Sequence, residues 1–332
     1  MKRRKKTFII LAVILVVVLL VAGYIKFFNG RLIYFTTGMK SGELIKTAGQ
    51  KTTYTCEADI LMSDVKKEYE EMFGSNIWRE KIGDADFESY IKDQIKSKLM
   101  RVKAMNVKAK ERGVVLGREE KDSVGKAVDA FYNELTESQI SSTGITKDKL
   151  NTMFTEFAVA QKLYDDITSS MDIEVSADEA RVIDIQYIVS DSEEEINKAY
   201  NLVNSGSSFF AVAKEYNADG EYEYELKRDE MDEAFEKAAF NLSTGEMSSI
   251  VEAAGRYYII RCTSDNDKAK TEVNKSAILE KRKLEQFNAD FEKYESGIYM
   301  EFNNSEWKKL SIQDAYTLES SFEDTFNAYF GK

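Results

Sequence analysis

Few of the side chains that commonly perform covalent chemistry are present in this chain. Histidine is absent from all 332 residues, which excludes histidine triads, histidine general bases and the usual catalytic zinc sites. Cys56 and Cys262 form no Cys-x-x-Cys motif, which excludes dithiol and structural zinc sites. In an exported chain these two cysteines could pair as a disulfide. No phosphate-binding loop, dinucleotide glycine pattern or serine elbow is visible, so we expect neither a metal nor a cofactor.

Met231 and Phe235 have a spacing that could serve recognition of an apolar group. The two residues lie four positions apart, so a helix places both side chains on the same face. Taken alone, such a pair is typical of the core of a small helix. An apolar pocket for a ligand is the alternative interpretation, and the neighbouring sequence bears on it.

A distinctive motif begins at Phe235. Residues 235–248 have the sequence FEKAAFNLSTGEMS, which resembles the segment F-E-x-A-x-F-x-L-x-x-G-E-x-S of the parvulin family of peptidyl-prolyl isomerases. Residues 206–213, with the sequence GSSFFAVA, are similar to the G-x-x-F-x-x-x-A helix of that family. Arg228 and Met231 fall where the family often has a turn of the type Arg-Gly-x-Met.

The resemblance implies a domain that binds an X-Pro segment. Rotation about a peptide bond has a barrier of ~18–20 kcal/mol, and an isomerase lowers it by favouring the twisted amide rather than by attacking it. Parvulins line their proline pocket with a methionine and a phenylalanine one helical turn apart, which implies a substrate-binding role for Met231 and Phe235. Asp219 matches the acidic position of the family and is therefore a candidate catalytic residue.

The polar half of the implied site departs from the family pattern. Parvulins usually carry one histidine on the first strand and one on the last, and here Gln186 and Tyr258 are aligned with those positions. Both side chains donate and accept hydrogen bonds and could bond across the strands, but neither titrates like an imidazole. The glycine-rich loop beside the family's cleft is replaced by residues 221–225, with the sequence EYEYE. The resemblance therefore implies weak or absent isomerase activity.

The helices and strands that must position these residues are predicted from changes in the spacing at which apolar residues recur. Apolar residues recur at helical spacing from about 60 to 172, and residues 144–150 resemble a turn in the helical domain of SurA- and PrsA-type foldases. Helical spacing returns after residue 268. The segment between is predicted to contain strands at 182–189 and 257–262 and helices at 192–203, 209–216 and 232–240.

We therefore predict an α+β fold of four segments. They are a cytoplasmic basic cluster with a transmembrane anchor at 1–30, a helical chaperone-like domain at 31–178, a parvulin-like domain at 179–266, and a C-terminal helical segment at 267–332 that packs on the helical domain. In the last segment Phe322, Phe326 and Tyr329 lie at helical spacing. These aromatic residues either dock the terminal helix or contact a client protein.

The N-terminus has the pattern of a membrane anchor. Five basic residues at 2–6 precede an apolar run from Phe8 to about Ile25, which is long enough to cross a ~30 Å hydrocarbon core. The basic cluster should stay in the cytoplasm, so the rest of the chain is exported. A cleaved signal peptide is the alternative, although its apolar region is usually shorter. Tyr24 follows Gly23, and the absence of a cysteine there excludes a lipoprotein anchor.

The charge of the chain restricts its partners. The net charge is −12, and setting aside the five basic residues at 2–6 leaves 41 basic against 58 acidic residues, or −17. Such a surface excludes nucleic acid and disfavours an anionic membrane face. Three hypotheses remain, namely a chaperone for unfolded or proline-containing exported polypeptides, an active prolyl isomerase, and a non-catalytic scaffolding protein at the membrane. The sequence leaves the oligomeric state open.

Overall fold

The computed structural model describes residues 38–218, 220–318 and 321–331. The predicted anchor lies in 1–30 and is therefore outside the described residues. Among the described helices, none combines the length and the apolar character needed to cross a bilayer.

The described residues form helices joined by three small sheets. The helices are α1 (Thr55–Phe73), α2 (Phe87–Arg112), α3 (Arg118–Glu134), α4 (Glu137–Thr143), α5 (Lys147–Thr168), α6 (Ala177–Ala180), α7 (Glu193–Asn204), α8 (Phe209–Tyr216), α9 (Glu233–Phe240), α10 (Lys268–Glu295), α11 (Asn304–Trp307) and α12 (Phe322–Phe330), with a 3-10 turn at Ser75–Arg79. The strands are β1 (Glu43–Thr47), β2 (Thr53–Tyr54), β3 (Lys81–Ile82), β4 (Ala85–Asp86), β5 (Ile183–Ser190), β6 (Glu223–Leu226), β7 (Val251–Ala253), β8 (Arg256–Ser264) and β9 (Met300–Phe302). The predicted α+β class is confirmed.

The chain divides into two compact units. The helical unit combines the described residues up to Leu163 with those from Gly297 onward, and the sheet unit is Tyr164–Ser296. The long helix α10 therefore belongs to the sheet unit, whereas α11 and α12 belong to the helical unit. Cys56 and Cys262 are buried and free, so the disulfide considered from the sequence is not formed.

Local capping signals fix the longest helix of the helical unit. The Asp86 carboxylate accepts a hydrogen bond from the Ser89 backbone N–H at 2.7 Å, which caps the N-terminus of α2. Gly113 ends the helix with φ of 72°, a left-handed conformation that glycine adopts without strain. Between them Ile91, Ile95 and Leu99 face the core, as the sequence periodicity predicts.

The C-terminal helix α12 completes the core of the helical unit. The Phe322 ring lies 4.6 Å from the Phe154 ring and 4.9 Å from the Phe157 ring, measured between centroids. Phe322 and Phe326 are buried, whereas Tyr329 is partly exposed. Of the two interpretations drawn from the sequence, the docking of the terminal helix is the one observed for the two phenylalanines.

A three-stranded sheet joins both ends of the helical unit and was not predicted. Its strand order is β2-β1-β9, and β1 pairs antiparallel with β9 so that Ile45 lies opposite Phe302. The Asn303 backbone N–H donates to the Leu44 carbonyl at 2.9 Å. Because Leu44 and Ile45 are fully buried, this short sheet is part of the core.

A lysine and two glutamates are buried together in the helical unit. The Lys103 ammonium donates to both Glu156 carboxylate oxygens, at 2.6 and 2.5 Å, and to the Lys51 carbonyl at 2.7 Å. The Glu57 carboxylate accepts from the Tyr54 backbone N–H at 2.8 Å. Burial raises the pKa of Glu57 to about 8, with Lys103 opposing the shift and Glu156 reinforcing it. Glu57 is therefore mostly protonated at neutral pH.

We predict that Glu57→Gln will flatten the pH dependence of stability. The folded state holds the Glu57 proton up to about pH 8, whereas an unfolded glutamate loses it near pH ~4.3. Stability therefore falls as pH rises between these values. Glutamine keeps an acceptor for Tyr54 and removes this titration. Urea midpoints at pH 5 and pH 8.5 measure the slope, with the exposed Glu71→Gln of the same helix as the control. Equal slopes in all three proteins would refute the assignment.

Candidate functional site

The sheet of the second unit presents one face to a single short helix. The strand order is β6-β5-β8-β7, and every pairing is antiparallel. Residues of β5 and β8 on one face pack against Phe235, Ala239 and Phe240 of α9. Residues on the opposite face pack against α7 and α8. The two faces of one sheet therefore belong to two separate apolar clusters.

Hydrogen bonds at the start of α9 hold the turn that carries Met231. The Glu236 carboxylate accepts from the backbone N–H groups of Glu230 and Met231, at 2.8 and 2.9 Å. The Asp232 side chain accepts from the Ala234 N–H at 2.9 Å and caps the helix. Asp229 has φ of 66°, in a left-handed region where aspartate is enriched among non-glycine residues. It stands where the resemblance places a glycine.

A cavity of about 240 Å³ lies between this turn and the sheet. Most of its lining is apolar or aromatic, with one guanidinium at the edge. The lining residues are Tyr187, Val189, Ala218, Tyr224, Met231, Phe235, Arg256 and Tyr258.

Met231, Phe235 and Tyr258 lie together at this cavity. Phe235 is only 1% exposed, and its ring meets the Tyr258 ring edge to face, with centroids 5.0 Å apart and planes at 80°. Met231 is 38% exposed, so its thioether is available to a bound group. Both interpretations made from the sequence, a core residue and a pocket residue, therefore apply to Phe235, because its buried ring also lines the cavity.

The placement of Gln186 at the site needs correction. Gln186 pairs with Arg261 across β5 and β8, whereas Tyr258 pairs with Val189. Side chains alternate between the two faces of a strand, so Gln186 points away from the face that carries Tyr258. Its amide donates instead to the Glu223 carboxylate at 3.1 Å. Gln186 and Tyr258 therefore do not form the cross-strand hydrogen bond that the sequence allowed for.

Tyr187 occupies the place in the site that the sequence analysis assigned to the neighbouring Gln186. It lines the cavity together with Val189, two residues further along β5. A shift of one residue along a strand moves a side chain to the other face of the sheet. The signal that could have found Tyr187 is the alternation of Ile183, Ile185, Tyr187 and Val189, in which the first two are buried on the cavity face.

The remaining sequence predictions concern the loop after α8. Asp219, the candidate catalytic acid, is outside the described residues, although the preceding Ala218 lines the cavity. The acidic segment 221–225 is not only a loop, because Glu223–Leu226 forms the edge strand β6. Tyr224 of that strand lines the cavity and is 39% exposed. The segment thus supplies an aromatic wall to the cavity.

Two polar contacts border the cavity on different sides. The Arg256 guanidinium donates to the Asp191 carboxylate at 2.6 Å, and this hydrogen bond raises the pKa of Arg256 above its ordinary value. Burial raises the pKa of Tyr224, and the charge and hydrogen bond of Glu230 raise it further. The cavity therefore combines apolar contacts with tyrosine hydroxyl groups, and its charged groups lie at the edge.

Comparison with known proteins defines the class of the sheet unit. Residues 188–264 match the family model described as Rotamase: PPIC-type PPIASE domain. The sheet unit therefore contains a parvulin domain of the PPIC type.

About two thirds of the chain is similar to a PrsA foldase. It is 24% identical over 244 residues to the foldase protein PrsA of Caldanaerobacter subterraneus, covering 67% of this chain and 73% of that protein. It is 38% identical over 98 residues to PrsA of Bacillus subtilis, covering 27% of this chain and 32% of that protein. The crystal structure of PrsA from Bacillus cereus aligns with a TM-score of 0.37 and 18% identity, over 87% of this chain and 99% of that one. The resemblance to PrsA-type foldases with a PPIC-type domain is confirmed.

Proposed function

We propose that this chain is a membrane-anchored, extracytoplasmic foldase that binds unfolded or proline-containing exported polypeptides, with weak or absent prolyl isomerase activity. The observation that carries the proposal is the cavity beside Met231 and Phe235. It keeps an apolar lining, while tyrosines rather than histidines face it from β5 and β8. The PrsA proteins that the chain resembles are named as foldases, which supports the same function.

The size of the cavity favours binding of a single side chain. Its volume of about 240 Å³ is below the ~300–1,000 Å³ of sites that enclose a drug-sized ligand. An extended polypeptide could place one apolar residue or proline ring there and leave its neighbours in solvent. Met231 suits such a role because a flexible, polarizable thioether adapts to ligands of different shape.

Catalysis requires more than a pocket for the proline ring. A catalyst must bind the twisted amide more strongly than the planar one. Tyrosine hydroxyls donate and accept hydrogen bonds, but they do not offer the proton exchange near neutral pH that imidazole provides. These residues therefore favour a domain that binds the proline ring but catalyses little isomerisation.

The anchor and the charge support the proposed location. The apolar run from Phe8 to about Ile25 would hold the chain in a single membrane, with the basic cluster at 2–6 in the cytoplasm. The charge of −17 outside that cluster would keep a client-binding protein soluble.

Aggregation and isomerisation assays on the detergent-solubilised full chain test the proposal. We expect suppression of client aggregation at near-stoichiometric ratios and prolyl isomerisation close to the uncatalysed rate in a protease-coupled assay. Met231→Ala should weaken binding of a proline-containing peptide about tenfold, since ~0.8 kcal/mol is lost for each buried methylene. Met72→Ala, the same change at an exposed position of α1, is the matched control.

The alternative outcomes point to the other two hypotheses. Failure to suppress aggregation of several clients would contradict the foldase proposal and favour a scaffolding protein. Fast isomerisation that Met231→Ala abolishes would favour an active isomerase. One observation supports that second candidate, namely that Tyr258 and Arg256 place two hydrogen-bond donors at the cavity, where they could favour the twisted amide.

A further inference from the structure

A carboxylate lies at the edge of the cavity beside one of its lining residues. Glu230 belongs to the turn between β6 and α9 and directly precedes Met231. It hydrogen-bonds the Tyr224 side chain, and its charge contributes to the raised pKa of Tyr224. Tyr224 and Met231 both line the cavity. The carboxylate therefore contacts Tyr224, one of the residues that a bound side chain would touch, and Glu230 directly precedes Met231, which is another.

Among the described residues, the lysine that pairs with Glu230 forms a loose ion pair with it. The Lys227 ammonium lies 3.8 Å from the Glu230 carboxylate and 3.9 Å from that of Glu225, and all three side chains are at least one-third exposed. Glu225 also pairs with Lys270 at 3.0 Å, but Lys270 is shared with Asp184 at 2.7 Å and with Asp267 at 3.6 Å. Two lysines therefore face four carboxylates, which leaves negative charge on this side. The turn also carries Asp229 and Asp232, which are exposed.

The cation on the other side of the cavity is more closely paired. Arg256 is held by Asp191 at 2.6 Å, so its charge is offset by a direct hydrogen-bonded partner. The two sides of the cavity therefore differ, with a guanidinium directly paired to a carboxylate on one side and carboxylates in excess on the other.

We propose that Glu230 selects client segments in which a lysine or arginine adjoins the residue seated in the cavity. The inference rests on the proposed client-binding function and specifies the class of segment bound. A cationic side chain next to the seated residue would reach the Glu230 carboxylate, whereas an acidic side chain there would be repelled. A lysine or arginine beside a proline or an apolar residue thus defines the favoured segment.

The size of the preference follows from the exposure of the site. Solvent-exposed ion pairs contribute ~0.2–1 kcal/mol, which corresponds to a gain of up to about fivefold in affinity. Because a glutamate in the peptide is also repelled, we expect lysine and glutamate peptides to differ by about tenfold. Salt at 1 M shortens the screening length to about 3 Å and should remove most of this difference.

Peptide binding to the detergent-solubilised full chain tests the proposal. Fluorescent peptides of one length carry a central proline flanked on either side by lysine, glutamine or glutamate. Fluorescence anisotropy gives their affinities for the original chain, for Glu230→Gln and for Glu215→Gln. Glutamine at position 230 keeps an acceptor oxygen for Tyr224 and the Lys227 N–H. Glu215 is an exposed carboxylate on α8, which packs on the opposite face of the sheet.

The expected result is a ratio of lysine to glutamine affinity of about threefold to fivefold, which Glu230→Gln lowers to about one and Glu215→Gln leaves in place. Binding of the glutamine peptide without any preference for lysine would overturn the inference and leave the foldase proposal standing. An equal loss of preference in both variants would also overturn it, because the effect would then come from overall charge. Absence of binding by all peptides, together with no suppression of aggregation, would contradict the foldase proposal itself.

Discussion

Replacing Lys103 with methionine should lower the free energy of unfolding of the helical unit by about 3–5 kcal/mol. The Lys103 side chain is 1% exposed, and it neutralises the Glu156 carboxylate, which is 8% exposed. Methionine keeps an unbranched side chain but leaves Glu156 without its cation in a place that water does not reach. Removing one partner of a buried ion pair is costly because the remaining charge is neither solvated nor paired.

The measurement is urea unfolding followed by tryptophan fluorescence. Trp78 and Trp307 are the two tryptophans of the chain, and both are buried in the helical unit. The signal therefore reports on the unit that contains the substitution. The loss of unfolding free energy in Lys103→Met should become smaller as pH falls, because burial raises the pKa of Glu156 and a protonated carboxyl carries no charge.

The double variant Lys103→Met with Glu156→Leu is the control for this prediction. It removes both charges and should recover most of the lost stability, because an apolar replacement of a buried pair is often neutral or stabilising. A double variant as unstable as Lys103→Met would show that packing rather than the unpaired charge is responsible. A stable single variant would contradict the burial of the pair.

Replacing Phe235 with alanine should destabilise the sheet unit by about 3–5 kcal/mol. The Phe235 ring is almost fully buried between α9 and the sheet and meets the Tyr258 ring edge to face. Alanine would remove the ring and leave a void that extends the existing cavity. Loss of binding in this variant would therefore report unfolding as much as the loss of a ligand contact.

Thermal unfolding followed by circular dichroism measures this effect. Phe210→Ala is the matched control, because Phe210 lies in α8 of the same unit and is 44% exposed. It should cost less than about 1 kcal/mol, since little apolar surface is returned to water. Similar losses in the two variants would contradict the central position of Phe235 in the core. The contrast also identifies the partly exposed Met231 as the better probe of binding.

Elements that carry their own local signal were predictable from the sequence. β5 runs from Ile183 to Ser190 where a strand is predicted at 182–189, and its alternation of apolar and polar residues is visible without any partner. The start of α5 also has a local signal, because the Thr146 hydroxyl accepts from the Lys149 N–H at 3.3 Å and caps the helix. The alternation in the first case and the capping contact in the second both lie within a few residues of sequence.

Elements that depend on distant partners were not predictable. β1 and β9 contain five and three residues. β9 pairs with β1, from which it is separated by about 250 residues of sequence, and β1 pairs with both β2 and β9. β6 contains Glu223 and Glu225, and charged residues of this kind are depleted in strands. Such residues are tolerated at the edge of a sheet, where they also protect against pairing with other chains.

The candidate site was predictable in its apolar half. The four-residue spacing of Met231 and Phe235, with the neighbouring motif, places both at the cavity because a helix start and its first turn are local structures. The polar half depends on the alternation of β5, where an error of one residue exchanges Gln186 for Tyr187. Tyr224 could not be found because its strand was not predicted.

The pairing of β1 with β9 determines the order in which the two units can be completed. A chain that is synthesised or exported from its N-terminus exposes β1 long before Phe302, its partner, is available. All residues of the sheet unit, Tyr164–Ser296, emerge before that point. The sheet unit can therefore form its whole core first, although it begins later in the sequence. The helical unit cannot complete its core until the last segment of the chain is available. No proline is present to delay either step through slow isomerisation.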